Sequence, residues 1–208
     1  MELENIINFE NVYVNYDIDS STLRNINLKI KNNENWAILG ANGSGKSTLI
    51  KLFSNDLYPT TKYPFKKEIF GEENWNIFEL KKNLGIITND LHNTFGSQGK
   101  YITAYEVILS GFYSSIQIFN HQDFTKEQHQ KVLEVLEFLE ILELKDKKVH
   151  QMSTGQLRRC IIGRALIHDP KAFILDEPTV GLDIKSQHSF IKLIQKLSKS
   201  ASIIIVTH

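Results

Sequence analysis

The chain has 208 residues, of which 41% are hydrophobic, and it balances 24 Lys and Arg against 24 Asp and Glu. That length carries one compact domain with room for an inserted subdomain; the apolar content excludes a disordered chain, and zero net charge excludes a global basic field that would draw nucleic acid or an acidic membrane surface. The single cysteine, Cys160, excludes an intrachain disulfide and a thiolate metal cluster, no apolar run reaches the roughly 18 residues that cross a bilayer, and Met1 to Asn5 lacks the features of a signal peptide, so a soluble, cytoplasmic chain is expected.

In chain order, Ile6 to Val14 and Leu23 to Ile30 alternate apolar and polar around the turn-rich Asp17-Ile18-Asp19-Ser20-Ser21, which predicts a hairpin. Asn35-Trp36-Ala37-Ile38-Leu39 is an apolar run of the length of a buried strand. It leads into Gly40-Ala41-Asn42-Gly43-Ser44-Gly45-Lys46-Ser47-Thr48, and Leu49 to Phe53 continues as a helix. A strand, a glycine-rich turn and a helix in that order form the context that a nucleotide-phosphate loop requires. Gly40, Gly43 and Gly45 let backbone N–H groups curl round an anion at the positive end of the helix, Lys46 supplies a point charge for the β- and γ-phosphates, and the Ser47 hydroxyl is placed to ligate magnesium.

An aromatic-rich, strand-prone region then runs through Pro59, Pro64 and Phe65 to Gly71, and Leu84 to Thr88 returns to strand character. From Thr125 the period becomes helical, with Val132, Leu133, Leu136 and Leu139 on one face. Ser153 can cap a helix that reaches about His168 and is stopped by Asp169-Pro170. Ala172 to Leu175 reads as a buried strand; Phe190, Ile191, Ile194 and Leu197 mark another helix, and Ser202 to Val206 a last strand. Strands alternating with helices imply a mainly parallel sheet whose ligands sit at the carboxyl ends of the strands.

Further motifs accompany the phosphate loop. Ser153-Thr154-Gly155-Gln156 is followed by Gly163-Arg164-Ala165-Leu166, Asp169-Pro170, Phe173-Ile174-Leu175-Asp176-Glu177-Pro178-Thr179, Val180-Gly181-Leu182-Asp183 and finally Ile205-Val206-Thr207-His208. In this order they resemble the ATP-binding cassette family, the ATPase subunits of ABC transporters, over nearly the whole chain. The signature departs from the family in two places, with Met152 for the usual leucine and Thr154 for its first glycine.

The resemblance implies an α/β fold: a P-loop NTPase core with a mainly parallel sheet, an N-terminal antiparallel β subdomain and an inserted helical subdomain over about residues 89–165. It implies ATP and Mg2+ as cofactors, with Asp176 holding magnesium through water and Glu177 polarising the attacking water as general base. His208 matches the histidine that contacts the γ-phosphate. Asn89 aligns with the glutamine that serves magnesium and water, one methylene shorter. Tyr16 falls where an aromatic ring stacks on adenine, with Tyr13 as an alternative ring and packing in the sheet as the other use of either.

Two cassettes are expected to pack head to tail, so that Ser153, Gly155 and Gln156 of one chain close over ATP held by the loop of the other, with Asp183 reaching across; helix capping is the competing use of Ser153 and Asp183. The implied activity is ATP hydrolysis driving transport, with an integral membrane permease as partner and a place on the inner face of the cell membrane. Residues 101–120 resemble those of importer ATPases for metal chelates or oxyanions. The alternative is a soluble, non-transporting cassette with a regulatory or nucleic-acid-associated role, although no direct nucleic-acid contact is expected. Family members continue past the position of His208 with further strand and helix, so a C-terminally truncated domain spanning residues 1–208 is expected.

Overall fold

A computed structural model describes residues 4–17 and 20–208; Met1 to Leu3, and Ile18 and Asp19 of the expected turn, lie outside the described residues. Strand β1 (Asn5–Asp17) buries Ile7, Phe9, Val12 and Val14 and pairs antiparallel with β2 (Ser20–Lys31), setting Val12 opposite Ile26. Asn11 and Asn25 adopt positive φ of 53° and 48° at two register shifts, Asn11 between Phe9 and Val12 and Asn25 across from the shift between Val12 and Val14, a conformation that asparagine tolerates better than most residues. The expected hairpin is therefore present. It gains a third strand that the sequence did not reveal as a partner.

β3 (Trp36–Leu39) leads into α1 (Lys46–Phe53), and β4 (Lys66–Ile69) then returns to pair with β1, Ile7 facing Ile69. α2 (Ile77–Asn83), β5 (Leu84–Ile87), α3 (Asn89–Ser97) and α4 (Ala104–Leu109) follow at short intervals. α5 (Lys126–Phe138) and α6 (Thr154–Leu166) complete the helical region, before β6 (Ala172–Asp176), α7 (Ile184–Leu197) and β7 (Ser202–Thr207).

The N-terminal sheet has the order β2-β1-β4, and a four-stranded parallel sheet has the order β3-β7-β6-β5. Alternation along the parallel strands supplies two cores. Phe173, Leu175 and Ile203 face α4, α5, α6 and α7, whereas Ala172, Ile174, Ile204 and Val206 join Ile50, Leu52 and Phe53 of α1 and the buried face of β1. Helix α1 is thus clamped between two sheets, with Phe53 5.7 Å from Phe9, ring centre to ring centre.

One expectation needs correction. β3 is not buried: Trp36, Ala37 and Leu39 are exposed, and only Ile38 packs against the core. The run is apolar, but β3 is the terminal strand of the sheet and is hydrogen-bonded to β7 alone among the described residues.

Helix α6 packs closely on α4 and on the 3-10 turn Ser110–Tyr113. A Cβ at Gly111 would run into the Arg164 carbonyl oxygen and the Ile167 side chain. Gly111→Ala is therefore expected to destabilise the chain by about 1–3 kcal/mol, read as a lower urea midpoint; an unchanged midpoint would show that the turn relaxes freely. Cys160 lies inside α6's buried face, its Sγ 3.9 Å from Met152 Sδ, and burial pushes its thiol pKa up to about 12.

Candidate active site

The carboxyl ends of all four parallel strands deliver candidate residues to one side of the sheet. Gly40 follows β3, Asn89 stands two residues after β5, Asp176 ends β6 and His208 follows β7. Register keeps these ends level: Leu39 faces Thr207, Asp176 faces Val206 and Ile87 faces Leu175. Below them opens a cleft of about 830 Å3 whose walls include Lys46, Ser47, Thr48, Asn89, Asp176 and Glu177. That volume lies in the range of small-molecule sites.

Seven α-helices occur among the described residues, and six carry a side-chain N-cap: Asn76, Thr88, Thr103, Thr125, Ser153 and Asp183. α1 has none; its cap is Gly45, in the left-handed region at φ 93°. Its first-turn N–H groups thus lack the oxygen that the other helices take from their own sequence, which suits an anion from outside. Gly43 is also left-handed at φ 79°, so the loop can present successive N–H groups in a concave array. Lys46 Nζ donates to the Gly40 and Ala41 carbonyls at 2.7 and 3.1 Å, held over the loop it would serve. The Gly40 amide donates to the Thr207 carbonyl at 3.2 Å and the Ser44 amide to the Ala41 carbonyl at 3.1 Å, fixing the loop to the end of β7. Gly40 and Ser44 shape the loop, while Asn42 lines the cleft.

Glu177 stands in left-handed backbone at φ 46°, its amide donating to the Val206 carbonyl at 2.8 Å. For a non-glycine residue this conformation costs about 1–2 kcal/mol, which the neighbouring structure must offset. Thr207 Oγ1 donates to one carboxylate oxygen at 2.8 Å and His208 Nδ1 meets the other at 2.9 Å. Burial raises the Glu177 pKa, but the His208 and Thr207 hydrogen bonds and the charges of His208 and Lys46 outweigh it, holding the carboxyl below its ordinary value. An ionised carboxylate only accepts, so His208 donates from Nδ1. Asp176 behaves oppositely: burial raises it, the charges of Glu177 and Asp90 add, and Lys46 and Arg158 counteract only in part.

That combination fits a divalent cation. A desolvated carboxylate beside two others gains from positive charge, and the Ser47 hydroxyl lines the same cleft. Among the described residues no group of three or more His, Cys, Asp and Glu could hold a metal alone. Magnesium here would need phosphate oxygens as co-ligands, its common mode of binding. Asn89 begins α3 and lines the cleft, and its Oδ1, an oxygen with two lone pairs, accepts from Arg158 Nη2 at 3.0 Å.

Tyr16 is exposed, its hydroxyl 3.4 Å from Thr48 Oγ1, whereas Tyr13 packs on Tyr63 with ring centres 4.6 Å apart. The two tyrosines separate as a ring open to a ligand and a ring used in packing.

Ser153, Gly155 and Gln156 do not line this cleft; they border a second depression with Arg159, Leu182 and Ser186. Ser153 Oγ accepts from the Gln156 amide at 3.3 Å, and Gln156 Oε1 accepts from the Ser153 amide at 3.1 Å, closing a capping box. Asp183 likewise caps α7, accepting from the Ser186 amide at 2.9 Å. Capping is thus realised at both positions. Within one chain the signature residues and the phosphate loop stay apart.

Two residues escaped sequence reasoning. Thr207 is one, indistinct at the end of an apolar strand. Arg158 is the other, buried with its guanidinium against the backbone after β6. A charged residue three and four positions before Ile161 and Ile162, on the buried face of α6, was a signal that could have found it.

Residues 23–180 match the family described as ABC transporter. Over 206 residues the chain is 33% identical to the energy-coupling factor transporter ATP-binding protein EcfA3 of Clostridium perfringens, covering 98% of this chain and 69% of that protein. Among solved structures, cbiO1 from Clostridium perfringens, part of the ABC transporter complex cbiONQ, superposes with a TM-score of 0.79 at 31% identity, covering 99% of this chain and 79% of that one. An ATP-binding cassette solved as a dimer in a post-hydrolysis state with ADP and Pi is similar at 27% identity and a TM-score of 0.74, covering 97% of this chain and 88% of that one.

Proposed function

The chain belongs to the ABC transporter family and is an ATPase of the ABC type, and from that premise we propose that it energises an importer, seated on the inner face of a membrane against an integral permease. The observation that carries the ATPase part of this reading is one cleft that brings the uncapped start of α1, with Lys46 and Ser47, together with Asn89 after β5 and with Asp176 and the ionised Glu177 at the end of β6. In this reading the N–H groups of Gly43 to Thr48 and the Lys46 ammonium embrace the β- and γ-phosphates, and Tyr16 stacks on the adenine. Ser47, Asp176 and Asn89 would hold magnesium, which would supply neutralisation of the charge on the phosphate oxygens. Glu177 takes the proton of the attacking water, and His208 reaches the γ-phosphate from the end of β7.

A phosphate loop leaves one side of the γ-phosphate uncovered, and Ser153, Gly155, Gln156 and Asp183 supply that cover from a second copy packed head to tail. Their distance from the loop within one chain supports this assignment. No helix among the described residues is long and apolar enough to cross a membrane; in this reading the permease is an integral membrane partner. The importer direction rests on the likeness of residues 101–120 to importer ATPases.

The test is purification of the tagged chain from detergent-solubilised membranes of its native source, followed by reconstitution in vesicles. An integral membrane protein should co-purify, and ATP supplied on the side of this chain should move solute towards that side. Movement away from it would assign an exporter. Recovery only in a membrane-free complex would favour the non-transporting cassette.

A further inference from the structure

Arg158 is 3% exposed, yet its guanidinium forms none of the ion pairs among the described residues, which join Lys66 to Glu68, Lys82 to Glu79, Lys131 to Asp169 and His208 to Glu177. Burying a cation is costly unless it is hydrogen-bonded throughout. Here backbone carbonyls and one amide answer it. Nη1 donates to the carbonyls of Glu177 at 3.2 Å, Val180 at 3.3 Å and also Pro178, while Nη2 donates to Asn89 Oδ1 at 3.0 Å. Two segments 88 positions apart, Asn89 and Glu177, are thereby pinned to one planar group.

The turn that Arg158 holds is strained at its start, where Glu177 stands at φ 46°, and it is followed by Gly181 at φ 77°, a left-handed conformation that glycine adopts without cost. A turn in such backbone keeps its shape only where its surroundings over-determine it, and three carbonyls directed at one cation do so. On the other side, Asn89 is the first residue of α3, a helix capped by Thr88 and anchored in the core through the fully buried Phe95. Any displacement of α3 carries Asn89 with it. Because the guanidinium fork is rigid, Asn89 cannot shift without either losing Nη2 or dragging the plane that carries Nη1.

We propose that Arg158 is a positioning residue for ATP hydrolysis, joining Asn89 at the head of α3 to the Glu177–Val180 turn so that movement of α3 re-aims the backbone bearing Glu177. The inference rests on the ATPase reading of this site and adds to it the route by which α3 reaches the carboxylate. Arg158 touches neither phosphate nor water in this role; it acts through the residues it holds.

Steady-state ATP turnover of the full chain is compared with Arg158→Met, Arg158→Lys, Asn89→Ala and the Arg158→Met, Asn89→Ala pair. Arg158→Met is expected to lower kcat by about ten- to a hundredfold with KM within about twofold, since alignment and not affinity is lost. Lysine keeps the charge but reaches one side of the link only, so Arg158→Lys should recover part of the rate. The double variant should be no slower than the slower single one, because both cut the same connection. Wild-type kcat in Arg158→Met, a parallel loss of kcat and KM that tracks the melting temperature, or independent multiplication of the two single losses overturns the proposal. If Arg158→Met fails to fold, Arg158→Lys takes its place in the same cycle.

Hydrogen exchange of the nucleotide-free chain supplies a readout that needs no turnover. Asn89→Ala should speed exchange of the amides at 179–183, and unchanged exchange there overturns the link. A wild-type chain that fails to turn over ATP would sink the ATPase reading instead, and the exchange result alone would then decide the link.

Discussion

Glu177→Gln is expected to lower ATP turnover by something on the order of 10² to 10⁴ while leaving nucleotide binding intact. The amide has nearly the shape of the carboxylate, so the turn at φ 46° and its bond to the Val206 carbonyl have no reason to change. What changes is proton affinity. The carboxyl is kept ionised by donors at 2.8 and 2.9 Å, and an ionised carboxylate can take a proton from water, whereas an amide cannot. The loss should fall on kcat and leave KM close to the wild-type value. Under saturating ATP and magnesium the variant should accumulate as a dimer in light scattering, because release depends on the step it cannot complete. Turnover within tenfold of wild type would remove Glu177 as the base.

Lys46→Ala should abolish the thermal stabilisation that ATP confers. Ligand at about 100 times its dissociation constant stabilises a fold by roughly 2.7 kcal/mol. In a domain of this size that corresponds to a melting shift of roughly 5–10 °C. Among the described residues the ammonium hydrogen-bonds two neutral carbonyls of its own loop and favours the ionised Asp176 and Glu177 only by charge, so its removal should lower the nucleotide-free melting temperature far less than it lowers the ATP-dependent shift. The cost appears when several negative phosphate oxygens arrive and the flexible cation of the loop is missing. A variant that keeps the full shift would show that the uncapped end of α1 binds phosphate unaided.

Reading the sequence succeeded where local chemistry decides the outcome. The loop after β3, the Ser153 cap of α6, its Asp169-Pro170 stop and the apolar runs Ala172 to Leu175 of β6 and Ile203 to Val206 of β7 each follow from residues within a few positions of one another. It failed where the deciding partner is distant. β4 falls in the region read as strand-prone, but its pairing with β1, about sixty residues away in sequence, was not legible, and β3 is exposed because of its rank in a sheet assembled from later strands. α2, α3 and α4 are six to nine residues long, too short for a helical period to declare itself, although Asn76, Thr88 and Thr103 do mark their starts. Within the site, the phosphate loop and the Asp176-Glu177 pair were legible as motifs. The bond from Arg158 to Asn89 was not, since it exists only once two segments of the chain are folded together.

The burial of Cys160 has a practical corollary. It is the only cysteine of the chain, and with its thiol enclosed and its pKa near 12 it offers almost no thiolate to an alkylating reagent at neutral pH. The native chain is therefore a silent background for sulfhydryl chemistry. A fluorophore, spin label or cross-linker attached through a cysteine engineered at the surface would report from that one position, without first stripping the protein of a thiol that its core has already put out of reach.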